Sequence, residues 1–330
     1  MARNPTMIDV ATEAGVALKT VSRYVNGADN INDAMAARIA AAITKLGYRR
    51  NLAAASIRPG WTSKTVGLLI SDLANPYYSS IARGAESVLT EAGYLLITAS
   101  SEEDGATHDR LVDSLFERQV DAIIVVPPRS PGRSWSSVRE PHPPVVFIDR
   151  PAALDGADTI VADNRGGARE AVELLRSTHG DVAFLGDSLS IYTMQERYLG
   201  YVDALRARGE QPDPTLANTG AHSEEQAYAA AIALLQTGRA GAIFAANNRA
   251  TIGALRAFAH EDVRLPLIGF DDFEAATLVR PAVSVVSQDP QAMGRLAAEV
   301  VLQRLAREAT TPARFEVLPT SLVLRGSELD

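Results

Sequence analysis

The sequence predicts an α/β chain, two doubly wound parallel-sheet subdomains preceded by a small all-α helix-turn-helix domain. Three observations predict it. From Thr65 onward, short apolar runs such as Val66-Gly67-Leu68-Leu69-Ile70 and Ala122-Ile123-Ile124-Val125-Val126 alternate with amphipathic helical stretches. Strands that are apolar on both faces and joined by helices belong to a parallel sheet covered on both sides. The pattern runs through twice, which makes two halves. Ahead of them, residues 7–48 read as three short helices with a turn through Gly15.

In the head, the Thr6 hydroxyl is placed to cap the first helix by accepting from an unpaired first-turn amide. Ala11 and Ala14 are small enough for the second helix to cross closely, and Val21 and Val25, four apart, give that helix a buried stripe. Lys19, Thr20, Ser22 and Arg23 fall on its other faces, so it is placed to lie against something anionic. Asn32 caps a third helix, with Asp33 in its first turn where a carboxylate suits the helix dipole. Met35, Ile39, Ile43 and Leu46 recur at helical spacing, and Gly47 supplies the left-handed stop. A core this thin is marginal alone. The alanine-rich residues 51–60, closed by Pro59-Gly60, are too few to hold a helix in water. They are expected to order only against a partner; a plain flexible linker is the other reading.

The first half has predicted strands at 66–70, 95–97, 122–126 and 145–148, with helices at about 77–92 and 104–118 and a Pro-rich loop over 127–144. The second has strands at 160–162, 182–185, 242–245 and 267–270, with helices at 165–177, 195–208, 223–235 and 248–258. A strand at 283–287, a helix at 290–307 and a last strand near 321–324 follow. No leucine heptad follows Leu324, so no tetramerising tail is expected.

Composition narrows the function. The 330 residues are 46% hydrophobic and 22% charged, an ordinary globular balance with no apolar run long enough to span a membrane. The polar N-terminus lacks the apolar core of a signal peptide, so a cytoplasmic protein is expected. With no cysteine there are no disulfides, thiolate metal sites or cysteine nucleophiles. The net charge of -8 is uneven: residues 1–60 hold eight Lys and Arg against four acids, a net +4, which leaves -12 for the rest. A small basic module that meets phosphate is thus joined to an acidic body that does not. The five histidines lack metal-ligand spacing, and there is no Gly-Lys-Ser/Thr phosphate loop and no Gly-x-Ser-x-Gly elbow. Asp271-Asp272 is a carboxylate pair, but neighbours at a strand end point to opposite sides. Neither an enzyme nor a cofactor is expected.

The run Ile8-Asp9-Val10-Ala11-Thr12-Glu13-Ala14-Gly15-Val16-Ala17-Leu18-Lys19-Thr20-Val21-Ser22-Arg23-Tyr24-Val25-Asn26-Gly27, with Ile31-Asn32-Asp33 and Leu46-Gly47-Tyr48-Arg49-Arg50-Asn51, resembles the head of LacI/GalR-family transcriptional regulators. The loops after the strands extend the resemblance: Ser71-Asp72-Leu73-Ala74-Asn75-Pro76-Tyr77-Tyr78, Asp163-Asn164, Gln195-Glu196-Arg197-Tyr198-Leu199-Gly200-Tyr201, Ala246-Asn247-Asn248 and Gly269-Phe270-Asp271-Asp272. They are similar to blocks of that family and of the periplasmic sugar-binding proteins whose core it shares. The likeness covers nearly all of residues 6–325.

The resemblance implies a head over 1–50, a hinge over 51–63 and a core over 64–330 for effector binding and dimerisation. Within the core, about 64–162 plus 290–325 would form one subdomain and about 163–289 the other, the last helix and strand returning to the first half. It further implies a homodimeric repressor on a pseudo-palindromic operator. Leu18, Lys19 and Arg23 would read bases and Thr20, Ser22 and Asn26 would lie nearer phosphates. Asn51, Ala54 and Ile57 would meet DNA from the hinge, Ile57 as an apolar minor-groove wedge. A small-molecule effector, a sugar by first choice, would sit between the subdomains against Tyr77, Tyr78, Asp163, Thr193, Arg197, His222, Asn247 and Asp271.

The chemistry is coherent, because planar bidentate groups hold vicinal hydroxyls and an aromatic face packs on a sugar's C–H face. Several positions keep a second reading: helix cap for the strand-end aspartates, core for Tyr78, a structural ion pair for Arg197, an ordinary surface or packing residue for His222. A nucleobase or phosphorylated metabolite acting as corepressor is the alternative effector. A transport receptor or a sugar-acting enzyme are the rival functions. Two departures stand out: Ala17 where relatives carry a capping serine, and Arg50 where they carry proline.

Overall fold

The computed structural model describes residues 3–28, 30–49, 62–129, 132–138, 142–306 and 312–329. They belong to two compact units, Met1–Ser63 and Lys64–Asp330.

The first unit holds α1 (Met7–Ala14), α2 (Leu18–Val25) and α3 (Asp33–Leu46). A reciprocal cap starts α1: the Asp9 amide donates to the Thr6 hydroxyl at 3.4 Å while the Thr6 amide donates to the Asp9 carboxylate at 2.7 Å. Gly15 ends α1 in the left-handed region at φ 61°, and the Arg38 guanidinium of α3 donates to the carbonyls of Ala14 and Gly15. A side chain at Gly15 would be strained and would meet that guanidinium. Val10, Ala11, Ala14, Val21, Ile39 and Ala42 form the buried core, so the alanines do let the helices approach. The expected hinge contacts Asn51, Ala54 and Ile57 lie outside the described residues.

The second unit contains two six-stranded sheets. The first comprises β1 (Thr65–Ile70), β2 (Leu95–Ser100), β3 (Ala122–Val125), β4 (Val145–Ile148), β5 (Asp158–Ala162) and a late strand, β11 (Phe315–Leu318). All are parallel, in the order β11-β5-β4-β3-β1-β2. One face is covered by α4 (Pro76–Glu91) and α10 (Pro290–Leu305), the other by α5 (Gly105–Glu117) with Trp135. The second sheet comprises β6 (Val182–Leu185), β7 (Ala217–Asn218), β8 (Ala242–Ala245), β9 (Leu267–Phe270), β10 (Ser284–Ser287) and β12 (Ser321–Val323), in the order β12-β10-β9-β8-β6-β7. Period-two alternation divides its side chains. Val182 and Phe184 face α6 (Asn164–His179) and α7 (Tyr192–Arg206), while Ala183 and Leu185 face α8 (Glu224–Gln236) and α9 (Asn248–Glu261).

Two strands lie in the other sheet from the one expected: the strand at 160–162, expected to open the second half, is β5 of the first sheet, and the second change is at the C-terminal end. The strand expected near 321–324 to complete the first half is β12, and it pairs antiparallel with β10 in the second sheet. The strand that returns to the first sheet is β11, paired with β5. β11 lies at a sheet edge with Phe315 and Val317 exposed, so it lacks the doubly buried apolar signature of its neighbours. The short β7 was likewise not anticipated. The chain therefore passes between lobes three times: from β5 to α6, from β10 to α10, and from β11 to β12. The carboxyl ends of both sheets open onto one cleft, where ligands of open parallel sheets bind.

Candidate functional site

The cleft between the lobes is narrow and polar, with about 580 Å³ of unfilled space when its open mouth is counted. Asn75 and Pro76 start α4 at the end of β1, the Asn75 side chain accepting from the Tyr77 amide at 3.1 Å. That start delivers Tyr77 and Tyr78 to the cleft with their rings edge to face at 5.1 Å. Both hydroxyls converge on Asp149, Tyr77 donating at 3.0 Å and Tyr78 at 3.4 Å. Asp149 is followed by Arg150, whose guanidinium grips Glu103 with two bonds of 2.7 and 2.8 Å.

On the other wall, Arg197 rises from α7, nearly fully buried. It donates to Asn164 at 2.8 Å and to the Ala246 carbonyl at 2.7 Å, and faces Asp271 at 3.2 Å. Its guanidinium lies 3.6 Å from the centre of the Phe270 ring. Gln288, in the crossover before α10, donates to Asp271 at 2.5 Å and lies 3.2 Å from the Tyr77 hydroxyl, touching both walls.

Burial and charge set the protonation of these groups. Burial and then the neighbouring Asp149 push the Tyr77 phenol up, and the same two causes act on Tyr78. Burial raises Asp149 against the opposing pull of Arg150 and Arg197. Burial also presses Glu103 upward, yet the Arg150 bonds and charge outweigh it and leave this carboxyl below its ordinary value.

Of the expected effector contacts, Tyr77, Tyr78, Thr193, Arg197, His222, Asn247 and Asp271 line the cleft together. Asp163 does not. It is exposed and caps α6, its carboxylate accepting from the Gly166 amide at 2.8 Å, while the adjacent Asn164 holds Arg197. The Asn247 side-chain oxygen is also occupied, capping α9 at 2.7 Å from the Ala250 amide. His222 pairs with Asp187 at 2.7 Å.

Sequence reasoning missed Asp149, Arg150, Glu103, Gln288, Asn248 and Arg249. A signal existed for the first. Asp149 follows β4 as Asp271 follows β9, and both take the left-handed backbone, at φ 67° and 71°. Among the described residues no group of His, Asp and Glu could hold a metal ion, and no helix is long and apolar enough to cross a membrane.

In the head, Leu18, Lys19, Arg23 and Asn26 of the α2 segment are exposed, with Thr20 and Ser22 half-buried. Val21 alone on that helix is fully buried, so one side anchors and the others remain open. Arg23 pairs with Asn30, and the Asn26 side chain donates back to the Ser22 carbonyl at 2.6 Å. Ala17 is the N-cap of α2 and offers no side-chain acceptor.

The pattern of bacterial regulatory proteins of the lacI family matches residues 6–51, and that of a periplasmic binding protein-like domain matches residues 171–328. The HTH-type transcriptional regulator CelR of Thermobifida fusca is 31% identical over 338 residues, covering 98% of each chain. The chain belongs to the lacI family. It is a DNA-binding transcriptional regulator, not an enzyme. A solved CelR–cellobiose complex superposes with a TM-score of 0.74 at 30% identity, covering 98% of this chain and 99% of that one. The lac repressor dimer bound to operator and the anti-inducer ONPF gives 0.86 at 25% identity, covering 99% and 100%. These likenesses bear out the expected fold class, a helix-turn-helix region followed by two parallel-sheet lobes of the periplasmic-binding type.

Proposed function

We propose that the chain is a cytoplasmic homodimeric repressor whose operator binding is controlled by a neutral sugar held between the lobes. The observation that carries the choice of ligand is the charge balance of the cleft. Each arginine on its wall already faces a carboxylate: Arg150 has Glu103, Arg197 has Asp271 and Arg249 has Asp72. A phosphorylated metabolite would have to displace one of those partners, whereas a neutral polyol needs only donors and acceptors held in place. Asp149, Asp271, Asn247 and Arg197 supply them, and the Tyr77 ring offers an apolar face. The cellobiose in the CelR complex agrees with a carbohydrate ligand.

At the other end, each subunit sets α2 in a major groove of one half-site, in keeping with the operator-bound lac repressor dimer. Leu18, Lys19 and Arg23 face bases, Thr20, Ser22 and Asn26 lie nearer phosphates, and Asn51, Ala54 and Ile57 act from the hinge. Arg23 exchanges Asn30 for guanine acceptors on binding. Closure on the sugar rotates the first lobes of the dimer against one another and so weakens the hold of the two heads on the operator.

A thermal-shift screen of the full chain against sugars, sugar phosphates and purines tests the ligand, since a ligand of the folded form alone raises the melting temperature. The expected outcome is a shift with one or a few neutral sugars. A shift with a purine or a sugar phosphate and with no neutral sugar contradicts the assignment. For the reading helix, Lys19→Ala or Arg23→Ala changes sequence preference as well as affinity; an equal loss on all DNA sequences, with a salt slope reduced by about 1, would mark phosphate contact only.

A further inference from the structure

The cleft is also bridged by lining side chains outside the set proposed to hold the sugar. Arg249, in the first turn of α9, pairs with Asp72 in the loop after β1, and the adjacent Asn248 amide donates to Asn75 at 3.0 Å. Both acceptors are held by their own segment. The other Asp72 oxygen accepts from the Ala74 amide at 2.8 Å, and Asn75 is the cap of α4. On the opposite lobe, the Asn248 oxygen accepts from the Arg249 amide at 2.8 Å, which fixes its amide group toward Asn75. Each half is therefore organised within its own lobe, and joining them orders little besides the Arg249 stem. The Asp72 side chain is 12% exposed and that of Arg249 32%, so the pair is sheltered more than a surface ion pair. A second bridge, Arg129 to Asp187 at 3.9 Å, joins the loops after β3 and β6.

We propose that Asp72–Arg249, supported by Asn75–Asn248, is an interlobe clasp that holds the effector cleft closed before any ligand enters. Arg249 is a positioning residue: it raises the closed fraction, and apparent ligand affinity rises in proportion because the ligand no longer has to bring about that part of the closure. The clasp concerns closure and does not depend on the effector being a sugar.

The absence of cysteine permits a clean test in the full chain. Spin labels at Glu117→Cys and Glu261→Cys, exposed residues at the ends of α5 and α9, report one interlobe distance when labelled protein is diluted into unlabelled protein. Without ligand, Arg249→Ala and Asp72→Ala should each raise the ratio of long to short distances about tenfold. The double variant should go no further than either single one, and Arg249→Lys should stay near the wild type. Raising NaCl to about 0.5 M should open the wild type more than Arg249→Ala, in which the second bridge, Arg129–Asp187, is still there to be screened. Arg249→Gln carries the same expectation should the alanine variant not fold. An unchanged distance distribution in the Arg249 variants, or single shifts that add in the double variant, overturns the clasp.

Discussion

Arg197 is the residue on which most of the cleft depends. It gathers Asn164, the Ala246 carbonyl, Asp271 and the Phe270 ring around one buried guanidinium. Arg197→Ala leaves Asp271 buried without its charged partner, with Gln288 still donating to it, an expected loss of about 3–5 kcal/mol by chemical denaturation. Arg197→Lys recovers only part of it, since an ammonium cannot reproduce the planar fork. Asp149 works in the other direction. Its proton is held more tightly in the folded state, burial being the first cause, so the stability linked to it is complete below about pH 3.8 and is lost as pH rises through the raised value. Asp149→Asn is therefore expected to gain on the wild type at pH 7, with the gain shrinking toward pH 4, while sugar binding weakens. Melting curves from pH 4 to 8 check the sign. Glu103 is depressed by Arg150, so its contribution is complete above about pH 4.5 and lost as pH falls below that. In the head, Ala17→Ser supplies the missing acceptor for the first turn of α2 and should stabilise the first unit by about 1 kcal/mol, read from its denaturation midpoint.

At the scale of elements, apolar runs and helical spacing placed ten of the twelve described strands and all ten described α-helices, because each is buried on a regular face, while the three short 3-10 turns left no such pattern. β11 escaped because an exposed edge strand leaves no such trace, and the more apolar run at 321–324 took its place in the reading. The cleft was legible only where strand ends carry unusual side chains. Glu103 and Arg249 reach it through pairings between distant segments, which no local pattern reveals. The first lobe also depends on a close crossing of α4 and α10 that shows in sequence only as two glycines. A Cβ on Gly84 would run into the Gln291 carbonyl, and one on Gly294 into the Ile81 carbonyl. Backbone cannot yield as a side-chain tip can, so Gly294→Ala should destabilise the second unit by about 1–3 kcal/mol in urea unfolding.

For the whole molecule, the uneven charge now has a physical role. A net +4 in the first 60 residues meets phosphate, and the acidic remainder carries a cleft whose cations are already matched by carboxylates. The reading helix and the cleft belong to separate compact units, and in the proposed dimer they are coupled through the segment that joins them. If the sugar releases the operator as proposed, linkage requires that operator weaken sugar binding by the same factor. The most direct test is fluorescence anisotropy of the full chain on an operator found by selection from random DNA, titrated with the sugar that shifts its melting temperature. This sugar should release the wild type from DNA, while Asp271→Asn should bind the same DNA with unchanged affinity and no longer respond. Operator binding that ignores every sugar, or an Asp271→Asn protein that responds as the wild type does, would contradict control by a sugar held in the cleft.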